Sequence, residues 1–151
     1  MFVGKIEAKT DAKGRVFVPA TMRRQLADDS IVMRRDPNRR CLVLFPTDVF
    51  ERKAQEMMTR LDTEWNPQDQ QLLMEFTADV EMMPIDAQGR ILLNKGNLDY
   101  LGGQGTTLLF VGMMDRIMVW DAETFADQRM DANAFAQALN ERMGRHEANN
   151  Q

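Results

Sequence analysis

The chain repeats itself at a fixed interval. Asp11-Ala12-Lys13-Gly14-Arg15 returns as Asp86-Ala87-Gln88-Gly89-Arg90, a shift of 75 positions. The same shift carries Val16-Phe17-Val18 onto Ile91-Leu92-Leu93, and Leu26 onto Leu101. It carries Leu42-Val43-Leu44-Phe45 onto Ile117-Met118-Val119-Trp120, and Phe50 onto Phe125. No insertion is needed to hold this register. Self-similarity of this kind marks two copies of one supersecondary unit, each built on a D-x-x-G-R turn followed by an apolar strand. Each copy has roughly 50 residues outside its following helix, marginal for an independent core. The copies are therefore expected to pack together or on neighbouring subunits.

Local chemistry assigns the elements. Residues 5–10 read as a strand entering a turn at Asp11–Gly14, where Asp bonds its own backbone and Gly accepts positive φ. Val16-Phe17-Val18 reads as a strand ended by Pro19, and Thr21–Leu26 as one or two helical turns. The runs 31–35 and 41–45 flank Asp36-Pro37-Asn38 and read as a hairpin. Thr47-Asp48 is expected to cap a helix with Val49, Phe50, Ala54, Met57 and Leu61 on one face. Asn66-Pro67 starts a second helix, with Pro at its first position. The second copy repeats the plan: strand 79–83, turn 86–89, strand 90–93, short helix 95–101, hairpin 106–120, then a helix from Ala122. Ala132, Phe135, Leu139 and Met143 form a last amphipathic stripe, expected to end at Gly144 before a polar, frayed tail over 145–151. This partition predicts a first unit over 5–48, connecting helices over 49–76, a second unit over 77–122, and a C-terminal helix and tail over 123–151.

The chain has a net charge of −4, which argues against a simple basic nucleic-acid binder. Its distribution partly reverses that argument. Residues 1–46 hold ten Lys and Arg against five Asp and Glu, so this part contributes +5 and the remainder −9. A basic front on an acidic body suits a polyanion on one face, although charge halves also arise without function. No apolar stretch approaches the roughly 20 residues of a membrane-spanning helix. The opening Met1-Phe2-Val3-Gly4-Lys5 lacks a basic leader before an apolar run, so no secretory signal is expected. Cys41 stands alone, which leaves no Cys pair for a disulfide or a metal cluster. These features place the chain in the cytoplasm.

The turns supply the candidate site. Asp11 and Asp86 could simply staple their turns, with Gly14 and Gly89 allowing the bend and each Arg paired to its Asp. In the functional reading, the planar forks of Arg15 and Arg90 bond phosphate oxygens or a guanine edge. Lys13 adds a point charge for phosphate. Gln88 replaces it in the second copy, so the two turns should not contribute equally. Arg23 and Arg24 follow as further candidates, and so do Arg34, Arg35, Arg39 and Arg40, which could equally be a solvated face or a subunit contact. In the uninterrupted register the counterparts of that hairpin set are Leu109, Phe110, Met114 and Asp115. The thirteen Met and eight Phe are expected to be mostly core fill. Met57-Met58, Met82-Met83 and Met113-Met114 could instead line a subunit interface.

Catalysis finds little support. His146 is the one His and lies in a polar tail, which leaves little room for His-based acid–base chemistry or His-ligated metal. Gly102-Gly103-Gln104-Gly105-Thr106-Thr107 lacks the Lys that a phosphate-binding loop places after its last Gly, and reads as a flexible link. No cofactor, metal or small-molecule substrate is expected.

These residues resemble the MraZ family of bacterial regulators. The resemblance rests on Met1-Phe2-x-Gly4, Asp11-Ala-Lys-Gly-Arg15, Pro19, Leu42-Val-Leu-Phe-Pro46 and Asp86-x-x-Gly-Arg90, and covers nearly the whole chain. It implies a mainly β fold with added helices: two tandem AbrB-like swapped-hairpin (double-split β-barrel) units in a pseudo-two-fold repeat. It implies a non-enzymatic, nucleoid-associated DNA-binding transcriptional regulator, assembled as a ring-shaped homo-oligomer. Such proteins bind short direct repeats upstream of their own gene, at the head of the division and cell-wall cluster. Carried over by position, Lys13 and Arg15 match the first DNA-facing turn and Arg90 the second. The chain departs from the family at Thr21, often Arg in its members, and at Gln68, Gln70 and Gln71, where basic residues are common. The alternative is a protein-interaction module, an AbrB-type antitoxin or a scaffold.

Overall fold

Each copy lays down strand, turn, strand, short helix and hairpin in the order its sequence predicts. A computed structural model describes residues 1–149, with side chains described to residue 144. The first copy runs through β1 (Lys5–Lys9), β2 (Arg15–Phe17), α1 (Ala20–Arg23), β3 (Ser30–Arg35), β4 (Leu42–Phe45) and α2 (Thr47–Arg60). After α3 (Pro67–Ala78), the second runs through β5 (Glu81–Pro84), β6 (Arg90–Leu92), α4 (Lys95–Tyr100), β7 (Thr107–Gly112), β8 (Ile117–Asp121) and α5 (Ala122–Gln128). The last helix is α6 (Ala132–Asn149). The architecture is antiparallel sheet with added helices, and helix (39%) outweighs strand (26%) in residue count.

The copies do not fold side by side. They share one six-stranded sheet, ordered β1-β7-β8-β4-β3-β5, and one two-stranded ribbon, β2-β6. β1 of the first copy pairs with β7 of the second, and β5 of the second pairs with β3 of the first. Each copy thus donates its first strand to the other's hairpin. The pairing is symmetric about two points. Val43 faces Met118 in the large sheet, and Val16 faces Ile91 in the ribbon.

The pairing corrects the uninterrupted register. Val32 pairs with Phe45, and Leu109 pairs with Trp120. Phe45 and Trp120 correspond at 75 positions, so Val32 corresponds to Leu109, 77 positions on. The Gly-rich link before β7 holds two extra residues, and the β7–β8 turn two fewer. The true counterparts of Arg34 and Arg35 are therefore Val111 and Gly112 rather than Leu109 and Phe110. A strand has a side-chain period of two, so a slip of two preserves its in–out pattern and leaves no mark in hydrophobicity. The shortened turn forces Met114 to φ 65°, where its N–H and C=O both bond Phe2.

The large sheet is covered on both faces. One face meets the ribbon and short helices through Val16, Met22, Ile31, Leu42, Ile91 and Phe110, all almost fully buried. The other carries Val32, Val43, Phe45, Leu109, Met118 and Trp120, under Val49 and Phe50 of α2 and Phe125 of α5. Phe50 stacks on Phe76 of α3 at 5.8 Å, and Trp120 meets Phe125 edge-on at 5.7 Å.

Other expectations need correction. Pro46, not Thr47, sits at the α2 N-cap and gives no side-chain cap; the buried Thr47 hydroxyl has no partner. Asn66 does cap α3, accepting from the N–H groups of Gln68 and Asp69. Most methionines are not core fill: Met22, Met33, Met83 and Met118 are buried, while Met1, Met58, Met74, Met82, Met113, Met114, Met130 and Met143 are exposed. Helix α6 does not stop at Gly144 but continues to Asn149. A mid-helix Gly costs only about 1 kcal/mol relative to Ala, and Glu141-Arg142-Met143 before it are strong helix formers. The stripe residues Phe135, Leu139 and Met143 are exposed. The end of the expected frayed tail, residues 150–151, and the His146 side chain lie outside the described residues.

Candidate nucleic-acid interface

The two D-x-x-G-R turns are built from the same bonds. Asp11 Oδ1 accepts from the N–H groups of Lys13 (3.0 Å) and Arg15 (2.9 Å). Its Oδ2 accepts from Arg15 Nε at 2.7 Å. Asp86 Oδ1 accepts from the N–H groups of Gln88 (3.0 Å) and Arg90 (2.8 Å), and its Oδ2 from Arg90 Nε (2.8 Å). Gly14 and Gly89 hold φ of 86° and 89°, a region costly to any residue with a Cβ. Arg15's backbone N–H is the main group holding the Asp11 carboxyl below its ordinary range, helped by the Arg15 side chain and the Lys13 N–H. The Arg90 N–H does the same for Asp86. Asp11 and Asp86 each bond across their own turn. From the guanidinium each Asp takes only the Nε–H, and among the described residues neither Arg's terminal nitrogens have a hydrogen-bond partner.

The ribbon joins the turns. Leu93 N–H donates to Gly14 C=O (2.9 Å), and Val18 N–H to Gly89 C=O (3.0 Å), so each turn is tied to the strand that follows the other. Arg15 faces Leu92 and Phe17 faces Arg90 across the ribbon, with Val16 and Ile91 buried beneath. Alternation puts Arg15, Phe17, Arg90 and Leu92 on one outward face. Phe17 and Leu92 are 55% and 59% exposed. In the sequence these two are parts of apolar strands. Their single signal was an alternation too short to tell which side is covered.

The surroundings of the two turns differ. A Cβ built on Gly14 would lie 3.1 Å from Leu98 Cδ1, whereas one built on Gly89 would overlap the Arg23 guanidinium. Arg23 and Leu98 are equivalent positions of the repeat. The Arg90 guanidinium lies 5.9 Å from the Phe17 ring centroid, and its side chain is 19% exposed against 33% for Arg15. Lys13, Gln88 and Arg24 are exposed. Gln104 Nε2 donates to Ala12 C=O at 2.7 Å, so a residue read as part of a flexible link braces the first turn. Lys95 lines the same groove as Lys13 and Gly14, a cation that the repeat does not reveal because the first copy has Ala20 there.

The hairpin arginines serve the fold. The Arg35 and Arg40 guanidiniums both lie over the Tyr100 ring, 4.3 and 4.8 Å from its centroid. Arg35 Nε donates to the buried Asn97 Oδ1 at 3.3 Å, and Tyr100 Oη donates to Arg39 C=O at 3.2 Å. Arg34 sits 4.4 Å from the Phe76 ring centroid. Among the described residues, no cluster of three or more His, Cys, Asp or Glu could hold a metal ion, and no helix is long and apolar enough to cross a membrane.

Comparison with known proteins gives a consistent result. The family model described as "MraZ protein, putative antitoxin-like" matches residues 1–72 and 76–146. A Bacteroides fragilis protein named "Transcriptional regulator MraZ" is 41% identical over 145 residues, covering 94% of this chain and 90% of its own length. A protein of the same name from Bacteroides thetaiotaomicron is 37% identical over 145 residues, 94% of this chain and 92% of its own. One from a Nocardioides species is 32% identical over 140 residues, 93% and 94% of the two chains.

Proposed function

The chain belongs to the MraZ family, and from that premise we propose that it is a transcriptional regulator that binds double-stranded DNA in a sequence-dependent way. The observation that carries the reading is the pair of matched turns, each pinning an Arg through Nε and leaving its terminal nitrogens open. A two-stranded ribbon fits the major groove, and an Arg fork suits a guanine edge or a phosphate. Arg15 reads or clamps the first site, Lys13 holds phosphate, and Arg90 makes the equivalent contact from the second turn. Gln88 on the second turn and Arg23 against Gly89 join them, with the exposed Arg24 as a further contact. Asp11 and Asp86, with Gly14 and Gly89, present the arginines rather than touch DNA. Phe17 and Leu92 offer apolar contact of the kind a thymine methyl accepts.

The target is a set of short direct repeats upstream of the protein's own gene, in a division and cell-wall cluster. The protein acts without catalysis, in the cytoplasm at the nucleoid. One turn gives little affinity to an acidic protein. Several turns around a ring-shaped homo-oligomer, engaging several repeats, raise it through effective concentration. Fluorescence anisotropy with the upstream duplex, a scrambled duplex and Arg15→Ala protein tests this at two salt concentrations. Tight, salt-sensitive binding lost with scrambling and with Arg15→Ala supports the reading. Equal or absent binding in every arm overturns it.

The exposed α6 stripe and the family description "putative antitoxin-like" favour a second reading, a protein-interaction module. In that case Arg15→Ala would alter assembly or nothing.

A further inference from the structure

The second turn lacks a cation that the first possesses. Lys13 stands beside Arg15, but its counterpart beside Arg90 is the neutral Gln88. The structure brings another charge to that place. Arg23, on α1 of the first copy, lays its guanidinium directly against Gly89, and a Cβ at Gly89 would overlap it. One Arg23 Nη1–H reaches Val18 C=O at a long 3.4 Å, and its other donors have no partner among the described residues. Val18 is itself tied to Gly89 by the 3.0 Å bond from its N–H. At the equivalent position of the second copy, Leu98 packs the same way against Gly14 and brings no charge.

Resting on the DNA-binding reading above, we propose that Arg23 is the second turn's phosphate cation, replacing across the pseudo-two-fold the charge lost at Gln88. Lys13 then stands with Arg15 at one end, where Lys95 lines the same groove, and Arg23 stands with Arg90 at the other. The arrangement differs in where the second cation is rooted. Lys13 stands on the turn itself, exposed to solvent. Arg23 rises from a neighbouring helix, and Gly89 has no side chain to push it away. The second turn therefore offers a stiffer, planar donor set, which suits one fixed phosphate rather than a moving one.

Charge relocation provides the test. Anisotropy titrations of the upstream duplex over a series of salt concentrations would compare wild type, Arg23→Leu and the double variant Arg23→Leu/Gln88→Lys. Leu reproduces the Leu98 packing, so thermal unfolding should be little changed. Arg23→Leu should weaken binding about tenfold, and the slope of log K against log salt should fall by about 0.9 for each second turn engaged. Adding Gln88→Lys should restore most of both. Arg23→Lys keeps a charge and should keep the wild-type slope even where packing suffers. Unchanged binding by Arg23→Leu overturns the proposal. So does a loss that Gln88→Lys fails to recover, or a slope lowered by Arg23→Lys. Wild-type protein that ignores the duplex, or binds it independently of Arg15, overturns the DNA reading itself and is recognisable as that different failure.

Discussion

Arg15 and Arg90 stand diagonally across one two-stranded ribbon, each two residues from the other's cross-strand partner. That diagonal sets their Cα atoms roughly 7–8 Å apart, so both forks act within one small patch. Each is held at Nε by its own Asp, which fixes the plane of the guanidinium and leaves its outer edge to a ligand. The relationship depends on strands from both halves, so neither half alone contains it.

Loss of either fork should weaken DNA binding, and the two losses should differ. Arg15 is the more exposed and has Lys13 beside it, whereas Arg90 leans over Phe17. A charge-assisted hydrogen bond contributes about 1.5–3 kcal/mol. Arg15→Ala should therefore cost tenfold or more in affinity, and Arg90→Ala less. Anisotropy on the two variants checks the order, and equal losses would refute the inequality of the turns.

The turns should resist acid to below the ordinary carboxylate range. Asp11 and Asp86 have lowered pKa values, with backbone N–H bonds from Arg15 and Arg90 as the first cause. A depressed folded pKa means the stabilisation is complete above the unfolded value of about 3.8 and is lost as pH falls through the folded value. Hydrogen exchange at the Arg15 and Arg90 N–H groups, corrected for intrinsic rates, should show constant protection from pH 8 to 5. A step in protection near neutral pH would contradict the carboxylate staple.

Strand exchange should make unfolding a single event. Phe110 is fully buried and belongs to the core shared by both copies. Phe110→Ala should cost about 3–5 kcal/mol. Urea unfolding of a Trp65→Phe background, followed by Trp120 emission and by far-UV ellipticity, should give curves that move together. Two separated transitions would mean that the halves fold independently.

Cys41 should be chemically silent in the native protein. It is buried, and that burial is the main cause pushing its thiol up to about 12. Reaction with a soluble disulfide reagent at pH 8 should require denaturant. Rapid native-state labelling would show that the hairpin opens.

The D-x-x-G-R turns were legible because their bonds are local: Asp11 reaches only as far as Arg15, and Gly14 answers a backbone demand at its own position. The helix at Asn66-Pro67 was legible for the same reason. The partners of β1 and β5 were not, since pairing across a pseudo-two-fold is a long-range choice that leaves each strand's composition unchanged. The two-residue slip between Val32 and Leu109 was hidden by the strand period itself. Phe17, Leu92 and the exposed methionines show a further limit: hydrophobicity marks a side chain that can be covered, and only the assembled fold decides which ones are. Arg23 was visible as a cation, but its place beside Gly89 follows from α1 lying next to the other copy's turn.

Fusing two copies into one chain removes the requirement that they stay identical. A symmetric pair of separate chains carries two equal ends and reads a palindrome as well in one direction as in the other. Here Lys13 faces one way and Gln88 the other, with Leu98 beneath the first turn and Arg23 beneath the second. The molecule has a head and a tail. Under the proposed DNA binding, a site that satisfies both ends must itself have polarity, and in the proposed ring the successive sites met by successive subunits must all point the same way.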